Sequence, residues 1–262
     1  MELTVDGATV HATTGGREVD PARPAVVFLH GAGFDRTVWR LQTRWFAHHG
    51  RSVLAVDLPG HGRSQGAALT SIEAMADWTI RLLDAAGLRQ AALVGHSMGA
   101  LIALEATVRH PDRVRALGLC GVGLAMPVHR EMLESAKAGT LKVEELMTFW
   151  GIGAALHKGG MVSPGLWLRR ESLAVLRGNR PGTIHTDLAA CNAYSAAETR
   201  AAEVRCPTAL VLGDGDLMTP AAQGKKLAAA ISGAQAAVLP ACGHFMMVER
   251  PDETLAALRS HV

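Results

Sequence analysis

Short apolar runs alternate with longer amphipathic stretches along most of the chain. Ala25–Leu29 (AVVFL), Ser52–Val56 (SVLAV) and residues 91–94 (AALV), 114–119 (VRALGL), 208–212 (TALVL) and 236–239 (AAVL) are short, mostly apolar and bounded by Gly, Pro, Asp or Arg. Runs of this kind suit parallel strands covered on both faces. Helical patterns lie between them. Thr70-Ser-Ile-Glu73 has the form of a capping box, opening a helix that ends at Gly87 and carries Ile72, Met75, Ala76, Leu82, Leu83 and Ala86 on one face. A second helix is expected from Met98 to Arg109, stopped by His110-Pro111, with two more over residues 220–231 and from Asp252 to the C-terminus. Residues 3–5 and 10–13 flank Asp6-Gly7 and predict an antiparallel hairpin at a sheet edge. Strands alternating with helices predict an α/β fold: a mostly parallel central sheet flanked by helices, with right-handed crossovers.

One stretch breaks the alternation. Residues 126–199 hold no good strand, only helical patterns near 128–138, 141–157, 164–177 and 183–197 punctuated by Gly and Pro. The chain therefore divides into a core of residues 1–125 and 200–262, with a helical cap of 126–199 inserted between two sheet strands.

Composition narrows the classes. At 262 residues, 48% hydrophobic and 19% charged, the chain is long enough to bury a large core. A net charge of +2 with acidic and basic residues interleaved gives no basic stripe for nucleic acid. The histidines are scattered, and no His-Glu-x-x-His or paired Cys-x-x-Cys occurs, so no metal site is expected. Cys120, Cys191, Cys206 and Cys242 stand far apart, and the opening MELTVDGATVHATTGG lacks the basic and apolar regions of a secretory signal. The expectation is a cytoplasmic protein with reduced thiols. No uncharged apolar run has membrane-spanning length, so no membrane association is expected.

The strongest chemical signal is Gly95-His96-Ser97-Met98-Gly99, with the strand run AALV before it and a helical pattern after it. A serine on a sharp strand-to-helix turn adopts a strained backbone, and small residues two away on each side prevent collision. The helix N-terminus beneath it favours developing negative charge. A serine hydroxyl is a weak nucleophile and needs a base, and in this arrangement the chain order is Ser, acid, His. Past the inserted helices, TALVL runs into Gly213-Asp-Gly-Asp216, and AAVL runs into Pro240-Ala-Cys-Gly-His244. These candidates follow strand ends, where open α/β sheets place their sites. His244 is the base, and Asp214 and Asp216 are both candidates for the acid.

Five segments together resemble the α/β-hydrolase superfamily, in its lidded, cofactor-free branch: LHGAGFDRTVW (29–39), VDLPGHGRS (56–64), LVGHSMGA (93–100), VLGDGDLMTP (211–220) and CGHF (242–245). They occur in the family's order and span nearly the whole chain outside residues 126–199. The resemblance implies Asp216 as the triad acid, since it ends the family's Gly-x-x-Asp pattern. It also implies an oxyanion hole formed by the backbone N–H groups of Met98 and Ala32, with Gly33 and Phe34 as alternatives to Ala32. His30 is expected to brace its loop and His61 to be a turn residue.

The expected function is hydrolysis of carboxylic esters through an acyl-enzyme, with no metal or organic cofactor and a small-molecule ester as partner. Serine at position 97 disfavours the dehalogenase and epoxide hydrolase chemistry of relatives with Asp there. A lactonase, perhydrolase, thioesterase or C–C bond hydrolase uses the same triad, and a weakly catalytic small-molecule receptor on the same fold is the alternative from another class. Phe34, Phe149, Trp150, Trp167 and Phe245 are candidates for an apolar substrate pocket, while Arg169, Arg170 and Lys158 are basic residues that would favour an acidic substrate if they faced it. Oligomeric state is left open.

Overall fold

A computed structural model of the protein describes residues 1–158 and 167–262. Eight strands form one sheet: β1 (Glu2–Val5), β2 (Ala8–Thr13), β3 (Ala25–Leu29), β4 (Ser52–Val56), β5 (Ala91–His96), β6 (Val114–Cys120), β7 (Thr208–Gly213) and β8 (Gln235–Leu239). Their order across the sheet is β1-β2-β4-β3-β5-β6-β7-β8. β1 and β2 form the antiparallel edge hairpin, β2 meets β4 antiparallel, and all other pairings are parallel.

The apolar runs behave as fully covered strands. Every residue of β3, β4 and β5 is buried, and each Leu, Val or Phe so placed contributes roughly 1.5–3 kcal/mol relative to exposure. β8 departs from that expectation: Gln235, Ala236 and Val238 are exposed, because this strand closes the sheet and has a neighbour on one side only.

The covering helices are α1 (Arg40–His48), α2 (Ile72–Ala85), α3 (Met98–Arg109), α8 (Ala197–Glu203), α9 (Ala221–Ala230), α10 (Met246–Glu249) and α11 (Pro251–Arg259), while α4 (Arg130–Lys137), α5 (Lys142–Gly151), α6 (Leu168–Arg177) and α7 (Thr183–Ala193) lie between β6 and β7. Three local expectations need correction. The N-cap of α2 is Ser71, not Thr70; its hydroxyl accepts the Ala74 N–H at 3.2 Å. The pattern over 141–157 breaks at Gly151 into α5 and a 3-10 turn, Ala154–Lys158. A side chain at 151 would strike the Phe245 ring, so that glycine ends the helix where the chain approaches the core. The pattern over 183–197 also splits, and α8 buries Ala197 and Ala201 against α3. The start of the third pattern, at Pro164, lies outside the described residues.

The strand order positions the site. The chain passes from β3 outward to β4 on one side, then returns to β5 and proceeds outward through β6, β7 and β8 on the other. The winding reverses between β3 and β5, where Leu29 pairs with Gly95. Crevices at such reversals, beyond the carboxyl ends of the strands, are where open α/β sheets hold ligands.

Candidate active site

Ser97 lies immediately after β5 with φ 53° and ψ −116°, and caps the N-terminus of α3. A positive φ is strained for any residue with a side chain, and the surroundings must hold it in place. Here they do: the Ser97 N–H donates to the Cys120 carbonyl at the end of β6 at 2.9 Å. The flanking glycines are required by close approach. A Cβ at Gly95 would collide with the Gly99 carbonyl, and one at Gly99 with the Leu29 carbonyl.

Asp216 and His244 extend from the ends of β7 and β8. His244 Nδ1–H donates to Asp216 Oδ2 at 2.8 Å, with both side chains buried. Asp216 also accepts the Thr219 hydroxyl at 2.7 Å and the backbone N–H groups of Met218 and Thr219, each at 2.8 Å. Burial by itself would raise the Asp216 carboxyl. The attraction and hydrogen bond of His244, with the Thr219 donors, outweigh it and hold the group below its ordinary value. Asp214 is exposed and, among the described residues, accepts only the Cys242 N–H, at 3.3 Å.

β6 lies between the strands that carry Ser97 and Asp216, so the His244 ring must cross its exit. It does so over Gly121, at φ 60°, where a Cβ would come within 3.0 Å of the ring. Ser97 and His244 line one cavity, although no hydrogen bond joins the hydroxyl to the ring. Catalytic hydrogen bonds of this kind often tighten only when substrate is bound.

The loop after β3, residues 30–34, faces the elbow. A Cβ at Gly31 would come within 3.2 Å of Ser97 Cβ. Phe34 N–H closes a turn on the Gly31 carbonyl at 3.1 Å, and Gly33 N–H donates to Asp187 at 2.8 Å. Those bonds occupy the two alternative donors. Among the described residues, the N–H groups of Ala32 and Met98 have no protein acceptor. His30 braces the loop: Nδ1–H donates to the Gly31 carbonyl at 2.9 Å and Nε2 accepts the Leu58 N–H at 3.1 Å. That pattern requires the neutral ring, and burial, with the nearby His61, lowers its pKa to about 4.

Some of the positioning residues were not legible in the sequence. Glu249, buried on α10, accepts the N–H groups of Gly243 and Phe245 on either side of His244, and that of Gly153 beyond α5. Its distance from any motif hides this role. His96 Nε2–H donates to the His244 carbonyl at 2.9 Å, and burial together with His244 keeps that ring neutral.

The sequence profile of the alpha/beta hydrolase family matches residues 26–258. The chain belongs to the alpha/beta hydrolase family. Relatives of this family member include hydrolases. (E)-2-((N-methylformamido)methylene)succinate hydrolase of Acinetobacter baylyi is 26% identical over 90% of this chain and 89% of its own. Pimeloyl-[acyl-carrier protein] methyl ester esterase of Chromobacterium violaceum is 29% identical over 91% of this chain and 94% of its own. The enol-lactonase from Burkholderia xenovorans LB400 superposes with a TM-score of 0.89 at 22% identity, covering 99% of this chain and 98% of that one.

In this alpha/beta hydrolase the cavity beside Ser97 measures ≈ 610 Å³. Its walls combine Phe34 and Phe245 from the core with Met132, Met147, Trp150 and Leu188 from the helices between β6 and β7. Phe34 and Phe245 meet edge to face at 5.0 Å. Phe149 and Trp167 do not line it and are 55% and 56% exposed, which corrects the expectation for both. On α5, Met147 and Trp150 are three residues apart and share a face, whereas Phe149 projects from another. Trp167 precedes α6 and faces outward. Arg169 and Arg170 are exposed and absent from the wall; the side chain of Lys158 lies outside the described part. Among the described residues, the lining includes no Lys, Arg, Asp or Glu, and no cluster of three or more His, Cys, Asp or Glu is placed to hold a metal. No helix among the described residues is long and apolar enough to cross a membrane.

Proposed function

We propose that this chain is a serine hydrolase that cleaves carboxylic esters with apolar acyl groups. The observation that carries the reading is the buried Asp216–His244 pair, whose histidine lines one cavity with a serine held at positive φ on a helix N-terminus. Ser97 Oγ attacks the ester carbonyl and His244 Nε2 takes its proton. Asp216 holds the Nδ1–H tautomer and stabilises the imidazolium. The N–H groups of Ala32 and Met98 donate to the oxyanion, each such donor being worth about 3 kcal/mol or more in the transition state. Collapse expels the alcohol, which leaves with the proton from His244. Water, deprotonated by the same ring, then attacks the acyl-enzyme, and the ring returns that proton to Ser97 Oγ as the acid is released.

Residues 126–199 act as the cap. The relatives' names include an ester of an acyl chain and a substituted succinate. The wall here favours the former kind, because a substrate carboxylate would meet no Lys or Arg among the described lining residues. Burying it unpaired is costly, whereas each buried methylene contributes roughly 0.8 kcal/mol. The test is labelling by a fluorophosphonate together with turnover of nitrophenyl esters. Label on Ser97 and steady turnover support the hydrolase. Ligand binding with neither label nor turnover would instead make the chain a small-molecule receptor.

A further inference from the structure

The loop facing Ser97 is held from outside the sheet. Gly33 N–H donates to Asp187 Oδ2 at 2.8 Å, and Gly33 C=O accepts Asn179 Nδ2 at 2.6 Å. Asp187 lies on α7 and Asn179 just beyond α6, so both bonds come from the helices inserted between β6 and β7. The same Asp187 oxygen faces His61 Nε2 at 2.7 Å, with side chains only 1% and 0% exposed. His61 Nδ1 lies 3.0 Å from the Pro59 carbonyl. A carbonyl can only accept, so Nδ1 carries a proton; Nε2 in turn faces the carboxylate. Both nitrogens therefore donate and the ring is an imidazolium. Burial opposes that charge, but the charge and hydrogen bond of Asp187 prevail and raise the His61 pKa.

A buried ion pair is a poor source of net stability but a strict setter of geometry. Here it acts on one turn. Phe34 N–H bonds to Gly31 C=O, with Gly33 at φ 67°, so Ala32 and Gly33 are the two central residues of a closed turn. Fixing Gly33 at its N–H and its C=O fixes Ala32 beside it.

We propose that Asp187 and His61 are positioning residues that set the oxyanion hole from the inserted helices: their ion pair clamps Gly33, and the Ala32 N–H is aimed at the reacting carbonyl only while those helices are seated. The inference rests on the serine hydrolase reading. In Asp187→Asn the shape is kept and the charge lost. The amide oxygen still receives Gly33 N–H, but it no longer balances an imidazolium, and a neutral His61 must turn a lone pair on one of its two partners.

The experiment compares Asp187→Asn and His61→Gln with Tyr194→Phe and Arg200→Ala, using nitrophenyl butyrate turnover and thermal unfolding. The second two variants loosen a different buried attachment, in which Glu105 on α3 accepts the Tyr194 hydroxyl at 2.7 Å and Arg200 Nε at 3.0 Å. The clamp predicts that kcat falls about 10- to 100-fold in the first two variants, the loss expected when a donor is misplaced by up to an ångström, with KM nearly unchanged. The control variants should keep kcat within about twofold even where they lose equal thermal stability. A kcat loss that tracks stability across all four, or an Asp187→Asn enzyme with wild-type kcat, overturns the clamp. If the variants do not fold, nitrogen NMR of the wild type decides: two protonated His61 nitrogens at neutral pH support it and a neutral ring overturns it. A wild type that hydrolyses no ester and resists the fluorophosphonate overturns the serine hydrolase reading itself, whereas an active wild type with an unaffected Asp187→Asn overturns only the clamp.

Discussion

Two buried aspartate–histidine pairs lie at the carboxyl end of the sheet, and they differ in what the second ring nitrogen meets. In Asp216–His244, Nδ1 is bound to the carboxylate at 2.8 Å and Nε2 has no protein partner among the described residues, although the ring lines the cavity. In Asp187–His61, Nε2 meets the carboxylate at 2.7 Å and Nδ1 meets the Pro59 carbonyl, which leaves the ring no vacancy. On the proposed reading the first ring exchanges a proton with the substrate, while the second, with both nitrogens occupied, holds its neighbours. Residue type and burial are the same in both, so the free nitrogen and the cavity distinguish chemistry from scaffolding.

The sharpest way to break this contrast is at the nucleophile. Ser97→Ala should lose on the order of a million-fold in kcat without loss of fold, measured as ester turnover beside thermal unfolding. If only the pair facing the cavity is chemical, Asp216→Asn should lower kcat by about ten-thousand-fold by favouring the wrong tautomer, far beyond Asp187→Asn. Asp214→Asn should leave kcat nearly intact; an equal loss there would reassign the acid.

The scaffolding pair should be visible in stability. His61→Gln leaves Asp187 buried without its cation, a cost of roughly 3–5 kcal/mol near neutral pH. Because the folded His61 pKa is raised, the pair's contribution is fully present below the ordinary histidine value of about 6.5 and is lost as pH rises through the raised one. Besides Asp187, the charged group facing the ring is Asp57, paired with Arg36, while the adjacent His30 is neutral. Denaturant unfolding across pH should show the gap between wild type and variant closing on the alkaline side; a gap that widens there contradicts the imidazolium.

Smaller effects concern the cavity. Each added acyl methylene should improve kcat/KM about fourfold until the pocket fills, from roughly 0.8 kcal/mol per methylene. A succinyl ester should be disfavoured relative to butyryl, and a preference for it would contradict the apolar wall. Trp150→Ala should alter the chain-length profile while Phe149→Ala leaves it unchanged, since only the former lines the cavity.

Local patterns carried the frame a long way. Period and punctuation located each parallel strand to within a few residues, because buried strands are short, apolar and ended by turn-forming residues. α1 escaped this reading because its buried face includes the polar Gln42 and Thr43. Gln42 Nε2 donates to the Met247 carbonyl at 2.8 Å, a partner far away in sequence.

Sequence by itself determined the parallel α/β sheet and singled out Ser97 and His244, since a strand end followed by a constrained turn leaves a signature over a few consecutive residues, whereas the choice of Asp216 over Asp214 came from the family resemblance. Tertiary structure alone decided which side chains line the cavity. It put Trp150 in and Phe149 out on the rotation of one helix, and it paired the turn residue His61 with a buried carboxylate by bringing Asp187 to it from the inserted helices. A charge's partner and a side chain's facing depend on distant segments meeting, and no local pattern records that meeting.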